Sequence, residues 1–131
     1  MSLFIAAFAL FTGCSTEPQA CTEIAMSSVV IDVVDENGDP IVATVTATDA
    51  DGNDVQVSCA DATVDATACT SWVVGYEIDG KITIHGEATR ECNTGTGDLT
   101  VDVPMDDAGC HVVGQTGTLE LTEWTDLGCG A

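Results

Sequence analysis

Two histidines, seven cysteines and a set of acidic turns carry whatever chemistry this chain can perform. An acyl-transfer site would need His85 or His111 to act as a base between a nucleophile and an orienting carboxylate. Neither has a G-x-S-x-G elbow or a comparable motif beside it, so both read as satisfied or exposed strand residues. Carboxylate pairs of the kind used in glycoside hydrolysis are uninformative here, because among 22 acidic residues some pair always falls at a suggestive spacing. No catalytic residue is expected, and the chain reads as a non-enzyme.

The cysteines are Cys14, Cys21, Cys59, Cys69, Cys92, Cys110 and Cys129. No C-x-x-C or clustered Cys/His spacing points to a metal centre. With Cys14 set aside the remainder is even, which in an oxidising compartment reads as three disulfides. Sequence alone does not choose among the pairings. Strand order suggests Cys59 with Cys69, since one ends a strand and the other begins the next. Cys21 and Cys110 precede what read as the first and last strands, often neighbours in a sandwich, which leaves Cys92 with Cys129.

Two acidic turns form the best ligand constellation. Asp35, Asn37 and Asp39 alternate as hard oxygen donors, and Asp49, Asp51 and Asn53 do the same, so calcium is the candidate cofactor. Calcium takes about six to eight oxygens, so either turn needs help from another loop. Neither is an EF-hand, because Gly52 falls at the fourth position of its series and no glutamate stands twelve along. Asp, Asn and Gly are also the ordinary vocabulary of β-turns. Turns lying at the same end of the domain would favour calcium.

Against the 22 acids stand only Lys81 and Arg90, giving a net charge of −20. Nucleic acid and anionic headgroups are therefore poor partners, because their phosphates meet a repelling surface. The acidity otherwise accounts for solubility or for life in a saline medium.

The elements that position these residues are strands. Val29, Ile31 and Val33 alternate with Val30, Asp32 and Val34, then Asp35 to Pro40 turns the chain, and Ala43, Val45 and Ala47 alternate with Thr44, Thr46 and Thr48. This predicts a β-hairpin with an Asn37-Gly38 turn. Further strands are expected at 55–59, 72–76, 81–85, 99–103 and 112–121. Asp79-Gly80 reads as a hairpin turn, 60–68 as a polar loop or short strand, and 93–97 as a loop. About seven short strands with regular turn signals predict an all-β chain, a single antiparallel β-sandwich over 28–125 followed by a tail at 126–131.

The N-terminus predicts the location. Leu3 to Phe11 is apolar but too short for a permanent span, which needs about 20 residues. Residues 1–13 therefore read as a secretory signal peptide. Leu10-Phe11-Thr12-Gly13-Cys14 resembles a lipobox, which implies cleavage before Cys14 and lipidation of its thiol. Residues 14–27 would then be the lipidated cysteine and its tether, and the membrane a partner through that lipid. Ser15 after the cysteine implies outer-membrane sorting, as in lipoproteins of Gram-negative bacteria.

Val33-Val34-Asp35-Glu36-Asn37-Gly38-Asp39-Pro40-Ile41 followed by Ala43-Thr44-Val45-Thr46 resembles the opening of the carboxypeptidase regulatory-like domain, a transthyretin-like β-sandwich. The Cys59 to Cys69 spacing, the Trp72 region and Cys110-His111-Val112-Val113 are similar to uncharacterised lipoproteins of myxobacterial type. The resemblance implies a non-catalytic accessory fold. The combined expectation is a lipid-anchored envelope module, binding or structural, with an unidentified protein or glycan partner. The alternatives are a calcium-dependent adhesion module and a small hydrolase or peptidase accessory.

Overall fold

The computed structural model describes residues 21–60 and 69–129. The expected leader, Cys14 and the tether as far as residue 20, and residues 61–68 of the polar loop lie outside the described residues. Eight strands form: β1 (Ser27–Val34), β2 (Thr44–Thr48), β3 (Val57–Cys59), β4 (Ser71–Tyr76), β5 (Gly80–Arg90), β6 (Asn93–Val103), β7 (Gln115–Glu120) and β8 (Glu123–Asp126). They make two four-stranded sheets, in the orders β3-β4-β1-β7 and β2-β5-β6-β8. The chain is an all-β sandwich, as its alternation predicts.

The inward rows are those the alternation selects. Val29, Ile31 and Val33 of β1 and Val74 of β4 are fully buried, and they meet Ile82 and Ile84 of β5 and Val45 and Ala47 of β2 across the core. Trp72 is the one aromatic side chain buried with them, and its indole N–H donates to the Cys69 carbonyl at 3.1 Å. The rest of the core is aliphatic, at about 25 cal/mol for each Å² of apolar surface withdrawn from water. The sheets also approach closely where β5 faces β7, since a Cβ on Gly86 would stand 2.5 Å from a Leu119 methyl.

The pairing corrects four expectations. β1 and β2 are not a hairpin: β1 pairs with β4 and β7, whereas β2 pairs with β5 in the opposite sheet. The turn between them does form, with a single bridge from Val34 to Pro40, but the chain then crosses to the other sheet. An inward face on each strand is equally satisfied by pairing in one sheet or by facing across two, and the turn sequence does not distinguish them. The Asp79-Gly80 segment is likewise a crossing between sheets, from β4 to β5, and not a hairpin.

The other two corrections concern direction and length. β1 and β7 run parallel, in register from Val29↔Gln115 to Val34↔Glu120, so the sandwich is not purely antiparallel. Residues 93–97 are not a loop but the first half of β6, an 11-residue strand paired along its whole length with β5. The glycines that suggested a loop are there for close approach. A Cβ on Gly95 would stand 2.6 Å from the Trp124 ring, and one on Gly97 would overlap the Glu120 carbonyl.

Candidate functional site

The functional residues sort to the two ends of the sandwich. The upper end holds the end of β1, the Asp35 turn and the β5–β6 turn. The lower end holds the start of β1, the end of β4 and the Asp49 turn.

Asp35 and Asp49 do the same local work. In each, the residue's carbonyl accepts the glycine N–H three positions on, from Gly38 at 3.0 Å and from Gly52 at 3.1 Å. The Oδ1 of each accepts two further backbone amides: Asp35 from Asn37 and Asp39 at 2.9 and 3.0 Å, Asp49 from Asp51 and Asn53 at 2.9 Å each. Gly38 and Gly52 both take φ +82°, the left-handed conformation that closes the loop. Asp106 repeats the pattern, with Gly109 N–H on its carbonyl and the Cys110 amide on its Oδ1. The amide of Asn53, aided by that of Asp51, holds the Asp49 carboxyl below the usual carboxylate range.

The calcium ligand set does not converge. Arg90, at the upper end of β5, reaches Asp35 and Glu36 at 3.3 and 2.7 Å, while Thr48, which leads into the Asp49 turn, pairs with Thr83 near its lower end. Seven residues of strand separate these positions, about 23 Å. Asp35, Asn37 and Asp39 therefore cannot share an ion with Asp49, Asp51 and Asn53. Among the described residues no group of three or more His, Cys, Asp or Glu side chains gathers as a metal site.

At the upper end, Arg90 serves as the resident cation of the first acidic turn. Besides its two carboxylates it lies 4.1 Å over the Trp124 ring, and the Glu36 bond lowers that carboxyl's pKa and raises the guanidinium's. Trp124 in turn donates its N–H to the Leu121 carbonyl at 3.0 Å. Cys59 and Cys69 are joined by a disulfide near this end, Cα to Cα 5.8 Å.

The lower end carries the polar cluster that the sequence did not reveal. Cys21 is joined to Cys110, Cα to Cα 5.2 Å, which brings the segment before β1 against the loop after β6. Between them His111 Nδ1 lies 2.6 Å from Glu77 Oε1, and Thr22 Oγ1 lies 2.8 Å from His111 Nε2. A carboxylate only accepts, so Nδ1 donates to Glu77, and a neutral ring leaves Nε2 to accept from the Thr22 hydroxyl. Glu77 also accepts the Met26 amide at 2.7 Å and the Val112 amide at 3.1 Å. The Met26 amide first, then His111, lowers its pKa. Glu77 sits at φ 54°, a conformation uncommon outside glycine. A shallow groove of about 340 Å³ opens here, lined by Thr22, Ile24, Glu77, Met105 and His111 among others. Thr22, Glu77 and His111 are far apart in sequence and carry no shared motif.

His85 does not join this cluster. It stands on the outer face of β5, its Nδ1 2.8 Å from Asp98 of the neighbouring strand. Cys92 and Cys129, the third expected pair, are unbonded in this structure but lie side by side at the upper end, where the Cys129 hydrogen bond raises the Cys92 pKa. No protein-family model, curated protein or solved structure matches the chain.

Proposed function

We propose that this chain is a non-catalytic, lipid-anchored β-sandwich of the bacterial cell envelope, held at the outer membrane through the lipid on Cys14 and acting as a binding or structural module. The observation that carries this reading is the Cys21–Cys110 disulfide. It fastens the end of the tether directly to the lower end of the sandwich, so the domain stands over its own anchor. From Cys14 to Cys21 an extended chain reaches at most about 25 Å.

The distribution of exposed apolar side chains supports the same orientation. Of the seven large hydrophobic residues most exposed among those described, Ile24, Met26, Tyr76, Met105 and Val113 all lie at the lower end. That end would rest at the membrane surface, where apolar side chains gain from the interface. The upper end and the sheet faces are then left for a protein or glycan partner. The carboxypeptidase regulatory-like resemblance enters as analogy of fold, which does not fix function.

The test is Cys14→Ser in the full chain with its leader. The variant should move from the membrane fraction to the soluble envelope fraction, and retention in the membrane fraction overturns the proposal.

A second reading, a small hydrolase, is favoured by one observation: Thr22, His111 and Glu77 stand in the order of a hydroxyl, imidazole and carboxylate relay. Ester turnover that both Thr22→Ala and His111→Ala abolish would establish it. The absence of turnover in the unaltered protein would leave the relay as a strap across the lower end.

A further inference from the structure

We infer that Cys92 and Cys129 form a third disulfide that latches β8 onto the β5–β6 turn, and that external thiols open it before Cys59–Cys69. The inference is independent of the lipid anchor: a Cys14→Ser chain exported to the same compartment is expected to carry the bridge as well.

The backbone brings the two residues together without help from either sulfur. β5 and β6 are joined by a two-residue turn, Glu91-Cys92, closed by the Arg90↔Asn93 pair. β8 returns antiparallel to β6 with Asp126 opposite Asn93, and the Leu127 amide donates to the Cys92 carbonyl at 2.8 Å. Gly128 then takes φ 72°, with its amide on Asp126 Oδ1 at 2.8 Å, and turns the chain so that Cys129 meets Cys92 side chain to side chain. The turn places Cys92 at the cost of a non-glycine residue, Glu91, at φ 55°.

The latch has something to hold. β8 is four residues long, lies at the edge of its sheet and among the described residues pairs only with Asn93 to Thr96 of β6. Short edge strands with so few backbone pairs open locally. Yet β8 carries Trp124, whose ring fills the space left by Gly95 and stacks under Arg90, the residue that holds the Asp35 turn. A bond from Cys129 to Cys92 closes the fraying end and keeps that assembly in place. Cys59–Cys69 has one buried partner, whereas Cys129 is exposed and Cys92 half-buried, as Cys21 and Cys110 are, so a reagent reaches the third pair more readily than Cys59–Cys69.

The chemistry is ordinary thiol–disulfide exchange. The Cys129 thiolate attacks a sulfur of an incoming disulfide, carried by a thiol–disulfide oxidoreductase or an oxidised small thiol, and expels one thiolate. Cys92 then gives up its proton to solvent and attacks the Cys129 sulfur in the mixed disulfide, expelling the second. Two thiols lose two electrons and two protons, and the incoming disulfide becomes two thiols.

The test uses the full chain exported to an oxidising compartment. Alkylation without reduction followed by peptide mapping should give the Cys92 and Cys129 peptides linked to each other and unlabelled. Graded reduced glutathione should then open this pair before Cys59–Cys69. On opening, or in Cys92→Ser/Cys129→Ser, the Leu127 amide should exchange with deuterium at least tenfold faster while the β1 amides are unchanged. Alkylation of Cys92 and Cys129 in the native protein, linkage of either to another cysteine, or Leu127 exchange indifferent to reduction would each overturn the inference.

Discussion

His111 Nδ1 lies 2.6 Å from Glu77 Oε1, and through this contact the loop after β6 grips the turn after β4. Glu77 is the hub, since it also accepts the amides of Met26 and Val112 while holding an unfavourable backbone angle of its own. One side chain thus joins the entry to β1, the exit from β4 and the approach to β7.

The hub predicts a pH dependence. The pKa of Glu77 is lowered in the folded protein by the Met26 amide and then by His111, and that of Asp49 by the Asn53 amide. As pH falls, the unfolded chain takes up these protons first. Their contribution is therefore complete above the unfolded carboxylate value of about 4 and is lost as pH falls through the lower folded values. The melting midpoint should drop across that window. Glu77→Gln should be less stable than the unaltered protein near pH 7 and should lose less on acidification; parallel pH profiles for the two proteins would refute the assignment.

Gly97 predicts a packing defect. A Cβ there meets the Glu120 carbonyl, which is backbone and cannot rotate away. Gly97→Ala should cost about 1 to 3 kcal/mol, the usual penalty of overpacking, read as a lower urea midpoint with an unchanged slope. Gly38, whose added Cβ meets nothing within 4 Å, fails for a different reason, its φ of +82°. Gly38→Asn should therefore be milder than Gly38→Ala, because asparagine tolerates that region and alanine does not.

Calcium should behave as a screening ion. Asp35 has both carboxylate oxygens engaged, one by amides and one by Arg90, and the Asp49 turn lies at the far end of β5. At net charge −20, added salt should raise the melting midpoint by relieving repulsion. Calcium and magnesium at equal concentration should raise it equally. A calcium-specific rise of several degrees would restore a dedicated site and with it the adhesion reading.

The sequence by itself determined the fold class, the inward faces of β1, β2 and the first half of β5, and the recurring Asp-x-x-Gly turns. These are local properties. The β-branched run Val29 to Val34, broken on one face by Asp32, declares a strand wherever it ends up, and Asp-x-x-Gly closes the same turn at 35, 49 and 106 from its own atoms. Only the tertiary structure decided which strands share a sheet, because an apolar face is satisfied equally by a neighbour beside it or a layer opposite. It alone showed that Gly95 and Gly97 make room for Trp124 and the Glu120 carbonyl, since a glycine reads the same whether it bends a chain or admits a neighbour. It also separated the two acidic turns along β5 and assembled Thr22, Glu77 and His111 from three remote segments. Side-chain chemistry of that kind is set by where strands end in space, and no residue spacing records it.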